Sequence, residues 1–260
     1  MRTIWDNPGH QYFVYHIVGD ASYLKVKIDI PEPSDYPMIY LASTWVIPVL
    51  LAITLHEAAH GFVAHHFGDD TAWQLGRVSL NPLRHIDPFG TLFFPALLLL
   101  THAPFLFGYA KPVPVNFGQL RNPRRDMIWV AAAGPVMNLA LATAAALLLH
   151  TVDFLPVGID QWVLRNLVNA ININVILAVF NLIPLPPLDG GRVAVGILPN
   201  VLAAPLARLA PYGMWIVIGA FFLLPIFAAQ AGVDVNLFNQ VITRPAAAII
   251  STILRLTGTG

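Results

Sequence analysis

Residues 38–67 read MIYLASTWVIPVLLAITLHEAAHGFVAHHF. A helix needs about 20 apolar residues to cross the hydrocarbon core of a bilayer, and this stretch supplies them with Glu57 as its one formal charge. It therefore reads as a membrane span with a carboxylate and two imidazoles, His56 and His60, set deep in its second half. The rest of the chain has the same character. Of the 260 residues, 57% are hydrophobic and 11% are charged, against roughly 25% charged in a soluble domain. So few charges cannot cover a water-facing surface, which excludes a soluble fold, a disordered chain and a coiled coil. Lys+Arg and Asp+Glu stand at 14 each, so a net charge of zero offers no footprint for nucleic acid. Cysteine is absent, which removes both disulfides and thiolate ligands from consideration.

Outward from that span, residues 127–149, 167–188 and 212–229 are further candidates, with 193–210 weaker because of Pro199, Pro205 and Arg208. The pattern predicts an all-α polytopic membrane protein of about 4–6 transmembrane helices. Residues 91–107 are apolar but short and interrupted by Pro95 and Pro104. Basic residues flank them on both sides, Arg77 and Arg84 before, Lys111, Arg121, Arg124 and Arg125 after, whereas 150–166 holds only Arg165. The positive-inside rule places 68–126 in the cytoplasm, so the element at 91–116 is expected to be re-entrant or extended, lining a cavity. Residues 1–37 read as a polar appendage in which Leu24, Val26, Ile28 and Ile30 alternate with polar residues like a half-buried strand, 12–18 being its hairpin partner. Residues 38–232 form the membrane core, and 233–260 an amphipathic segment along the interface.

The chemistry concentrates in His56-Glu57-Ala58-Ala59-His60. Histidines at i and i+4 project from one helix face, so both can reach the same Zn²⁺. Glu57 points about 100° away, off the metal but within reach of a water held there. Ionisable groups inside a span are costly and mark function. A zinc site needs a third protein ligand and an open fourth position, yet no glutamate follows Glu57. His66 is ten residues beyond His56, about 15 Å along an unbroken helix, and is not expected to ligate. Asp189, in the run NLIPLPPLDGGR at 181–192, is the better candidate. The 167–188 span enters from the same side as the first, so its end arrives at the depth of the histidines.

HEAAH in one span with NLIPLPPLDGG in another resembles the site-2 protease family of intramembrane zinc metalloproteases, peptidase family M50. Gly134-Pro135-Val136-Met137-Asn138 is similar to that family's GPxxN, and residues 108–116, GYAKPVPVN, to a segment of its compact members, which lack PDZ and CBS domains. The resemblance implies one zinc per chain on His56, His60 and Asp189, with Glu57 as the catalytic carboxylate. It implies that Asn138 and Asn181 position substrate. It also implies cleavage within or near transmembrane segments of membrane-protein substrates, from a multi-pass position in the cytoplasmic membrane with the site toward the cytoplasm. A metal-ion transporter and a catalytically inactive relative are the rivals. A transporter has no use for Glu57 beside the ligand face, and an inactive relative should have lost one of the four residues. The lipid bilayer is the other expected partner, and a homo-oligomer is compatible with the sequence.

Overall fold

The structure is a computed structural model that describes residues 37–81, 84, 87–93, 97, 111–233 and 235–260. It contains helices and no strand among these residues. The hairpin expected within 1–37, and most of the re-entrant element expected at 91–107, lie outside them. Helix α1 (Met38–His66) begins after Pro37 and closes at Gly68, whose φ of 104° suits only glycine. A short α2 (Thr71–Gln74) follows, then residues 111–116, which have no regular secondary structure. Helix α3 (Pro123–Leu148) starts on a proline, tolerated there because the first N–H of a helix has no partner anyway. Helix α4 (Asp160–Asn181) returns across the protein.

Among the described residues, four helical stretches are long and apolar enough to cross a membrane: Ile39–His66, Pro123–Phe154, Asp160–Asn181 and Gly213–Gln230. The last is a composite of two short α-helices joined by a π-helical stretch rather than one regular helix. Before it come α5 (Asp189–Ile197) and α6 (Asn200–Arg208), which occupy the weak 193–210 region. Then α7 (Gly213–Ile218) passes through a π-helical stretch, Gly219–Leu223, into α8 (Leu224–Gln230). The chain ends in α9 (Arg244–Thr257). Its buried face of Ala246, Ile250, Ile253 and Leu254 packs with Ala142, Ala145 and Ala146 of α3 and Ile171, Val175 and Val179 of α4. Alanines at such a seam let helix backbones approach closely, the usual way of packing helices in lipid.

Cross-links give the directions of the helices. Trp162 Nε1 donates to Ser43 Oγ at 2.9 Å and Asn169 Nδ2 to Thr44 O at 3.0 Å, so the beginnings of α1 and α4 lie together and the two helices run parallel. Helix α3 runs against α1: Val130 meets His60, and Asn138, two turns later, meets His56 and Ala52. One expectation needs correction. The third span ends at Asn181, not near Leu188, because Pro184, Pro186 and Pro187 cannot donate to a helical ladder. Residues 182–188 instead fold back, and Asp189 opens α5 rather than closing α4. Gly190 and Gly191 permit the fold-back. A Cβ at Gly190 would lie 2.2 Å from Leu182 O, and one at Gly191 2.1 Å from Pro186 N.

Candidate metal centre

His56 and His60, on adjacent turns of α1, and Asp189, the first residue of α5, meet between the helices. Three atoms converge: His60 Nε2 lies 3.1 Å from His56 Nε2, and Asp189 Oδ2 lies 3.2 Å from His56 Nε2 and 3.3 Å from His60 Nε2. All three residues are buried, at 7%, 6% and 5% exposure. Position at the start of α5 sets the carboxylate at the positive end of a helix dipole. Its second oxygen, Oδ1, faces Arg192 Nη1 at 3.8 Å, and that guanidinium lies over the Phe117 ring.

Backbone carbonyls, which only accept, dictate where the ring protons are. His60 Nδ1 lies 2.7 Å from Val130 O and must donate to it. His56 Nδ1 lies 2.5 Å from Asn138 Oδ1. That amide is oriented by its other end, where Nδ2 donates to Ala52 O at 3.1 Å and to Asn174 Oδ1 at 2.7 Å. Both Nδ1 atoms therefore carry protons, and both rings turn Nε2 toward Asp189 Oδ2. That oxygen is itself buried without a hydrogen bond. Three electron-rich atoms at such separations call for a cation between them. A tetrahedral ion with bonds of about 2.0–2.1 Å holds its ligand atoms about 3.3–3.4 Å apart, close to the observed triangle. Two imidazole nitrogens and a carboxylate oxygen fit a zinc-like divalent ion and leave a fourth position open.

Glu57, half-buried, is absent from that triangle. Its Oε2 accepts from Val113 N at 2.7 Å. Val113 lies between Pro112 and Pro114, neither of which has an N–H, so this is the one backbone donor available in the three-residue stretch. The segment that carries it is tied down on either side. Arg77 Nη2 donates to Lys111 O at 2.9 Å, and Asn116 N donates to Asp69 Oδ2 at 2.6 Å. Asp69 is fully buried, its other oxygen accepting from Thr71 N and Oγ1 at 3.0 and 2.5 Å.

The description Peptidase family M50 matches residues 156–226, a stretch that includes Asp189 but not the histidine pair. A Bacillus subtilis protein named "Putative zinc metalloprotease YwhC" is 36% identical over 215 residues, which cover 75% of this chain and 91% of the relative. The chain belongs to peptidase family M50. Two mycobacterial relatives carry the name "Putative zinc metalloprotease Rip2". The Mycobacterium tuberculosis protein is 32% identical over 69% of this chain and 64% of its own length. The Mycolicibacterium smegmatis protein is 30% identical over 73% and 69%. No solved structure gives a significant match.

Within this M50 chain, the GPxxN stretch of α3 has a physical reading residue by residue. Gly134 leaves room for the imidazoles: a Cβ there would lie 2.5 Å from both His56 Cε1 and His60 Nε2. Pro135 interrupts the α3 ladder beside Val130, the acceptor of His60. Asn138, expected to position substrate, is fully buried with its amide bonded to His56, Ala52 and Asn174. Asn181 back-bonds within α4, Nδ2 donating to Leu177 O at 3.1 Å. His66 lies outside the cluster, its ring against Phe67. His65 pairs with Asp70 at 2.6 Å and stacks on Trp73, as suits the wet end of α1. Sequence reasoning missed three contributors: Asp69, Asn174 and the Val113 N–H. Only Val113 had a signal, its two flanking prolines.

Proposed function

We propose that this protein is a zinc endopeptidase of the site-2 type that cuts other membrane proteins within or beside their transmembrane segments. One observation carries the reading: His56 Nε2, His60 Nε2 and Asp189 Oδ2 converge, buried, among helices of membrane-crossing length. The relatives' names supply zinc as the metal, and the donor set suits it. Zinc, when bound there, acidifies a water toward a pKa of about 7 and polarises a carbonyl oxygen. Glu57 takes the proton of the attacking water and passes it to the leaving amine, first as base and then as acid. The Val113 N–H holds Oε2, which leaves Oε1 for that proton. Asp189→Ala should reduce zinc from about one equivalent per chain toward none, because two imidazoles alone do not make a structural set. Metal analysis of the purified variant checks this, and full zinc with full activity would remove Asp189 from the site.

A substrate helix arrives laterally, already at the depth of the site. Its peptide bonds are locked in the helical ladder, so one turn must open before attack. Opening in lipid is costly because freed backbone groups find no water. Replacing a glycine near the cut with Leu removes about 1 kcal/mol of helix weakening, about a fivefold slower cleavage where opening precedes chemistry. Proteoliposomes holding a cleaved substrate and its Leu-stabilised variant provide the test. Equal rates for the pair would show that opening does not limit the reaction, and rapid cutting of soluble casein would overturn the intramembrane reading. Such cleavage releases a cytosolic fragment, the logic of regulated intramembrane proteolysis. The basic residues Arg77, Arg84, Lys111, Arg121, Arg124 and Arg125 support a position in the cytoplasmic membrane with the site toward the cytoplasm.

A further inference from the structure

We infer that Asn174, acting through Asn138, fixes the proton on His56 and thereby the affinity of the metal centre; the inference rests on the zinc reading above. The chain of contacts starts at a group that cannot change its role. Ala170 O is a backbone carbonyl, and it takes a hydrogen bond from Asn174 Nδ2 at 2.8 Å. With its nitrogen so committed, Asn174 turns Oδ1 to Asn138 Nδ2 at 2.7 Å. Asn138 Nδ2 also faces Ala52 O at 3.1 Å, a second pure acceptor. The Asn138 amide is thereby prevented from flipping, and Oδ1 is left to accept from His56 Nδ1 at 2.5 Å. A ring that donates from Nδ1 offers its lone pair at Nε2, the atom 3.2 Å from Asp189 Oδ2.

The relay spans three helices, α1, α3 and α4, and the side chains of His56, Asn138 and Asn174 are all buried. Asn138 is 0% exposed and Asn174 2%. Without Asn138 the Nδ1 position has no acceptor, and the neutral ring gains by moving its proton to Nε2, where Asp189 Oδ2 accepts it. That tautomer blocks the metal. His60 needs no such relay, because Val130 O serves it directly. The two ligands are therefore set differently, one by a backbone carbonyl and one by a pair of side chains. Asn138 and Asn174 are positioning residues: they act on His56 and touch neither metal nor substrate.

Zinc affinity, read by competition with a fluorescent chelator, is the first measurement. Loss of an outer-shell partner typically lowers metal affinity 10–100-fold, so Asn138→Leu should fall in that range and Asn174→Leu near its lower end, about tenfold. Asn174→Asp keeps an acceptor for Asn138 Nδ2 and should restore near-normal affinity. Asn169→Leu is the control. Asn169 is equally buried in α4 but bonds Thr44, away from the relay, and should bind zinc like the unaltered protein. The second measurement is the ¹⁵N imidazole spectrum of the metal-free protein at about pH 8, where unperturbed rings are neutral. His56 should be Nδ1-protonated in the unaltered protein and shift toward Nε2-protonated in the Leu variants. Should Asn138→Leu not fold, the Asn174→Leu and Asn174→Asp pair carries the test. The relay is overturned if the Leu variants keep both the affinity and the His56 tautomer, or if Asn169→Leu loses as much as they do. An unaltered protein that binds no zinc at all would defeat the functional reading itself.

Discussion

Glu57→Gln is expected to retain its zinc and lower peptide hydrolysis by about 10²–10⁴-fold, the usual contribution of a positioned general base. The split between metal and rate follows from geometry. His56, His60 and Asp189 form the cluster without Glu57, whose carboxylate is held elsewhere by the Val113 N–H. A glutamine at 57 is nearly the same shape, and its amide oxygen still accepts from Val113 N. What it lacks is the ability to take a proton from water. Metal analysis and a cleavage assay on the same preparation read the two quantities together. Zinc lost along with activity would mean that Glu57 is a ligand, and undiminished cleavage would remove it from the chemistry.

Gly134→Ala should cost the metal without costing the fold. A Cβ at this position comes within 2.5 Å of His56 Cε1 and His60 Nε2 and 2.6 Å of His56 Nε2. The rings must move, and the triangle of donor atoms, 3.1–3.3 Å on a side, cannot survive the movement. Since mere loss of an outer-shell partner costs 10–100-fold, displacement of two ligands should cost more than about 100-fold in zinc affinity. Helix α3 meanwhile gains a better helix former, worth up to about 1 kcal/mol, which offsets part of the cost of moving two buried, hydrogen-bonded rings. Chelator competition reads the loss of metal, and thermal unfolding of the metal-free protein in detergent checks that the fold survives. A variant that bound zinc normally would show that α3 does not pack on the imidazoles.

The histidine pair was legible because residue type and spacing alone place two rings on one helix face. Asp189 was legible too, though for a reason that needed repair. Leu182, Ile183 and Leu185 continue the apolar pattern past Asn181, so hydropathy could not reveal that the helix stops and the chain folds back. The start of the same helix was misread in the opposite sense. Asp160, Arg165 and Asn166 look like a loop, yet Arg165 and Asn166 are buried in α4, with Asn166 Nδ2 donating to Trp162 O at 2.9 Å. Asn138 carried a signal but not its meaning, since its partners lie 82, 86 and 36 residues away. The Val113 donor is a backbone N–H, marked in the sequence only by the prolines on either side of it.

The two ends of the proposed ligand set are made at different times. A ribosome that has released α1 has delivered His56 and His60, yet Asp189 comes 129 positions after His60 (189 − 60) and only once α3 and α4 have been threaded through. Two imidazoles hold zinc weakly, and three ligands hold it well. On the proposed ligand set, the centre would stay unfinished throughout insertion and mature only when α5 has docked. With zinc on these three residues, a nascent or mis-inserted copy would be unarmed, and the ion would rivet the early part of the chain to the late part across a loop whose closure entropy folding alone would have to overcome.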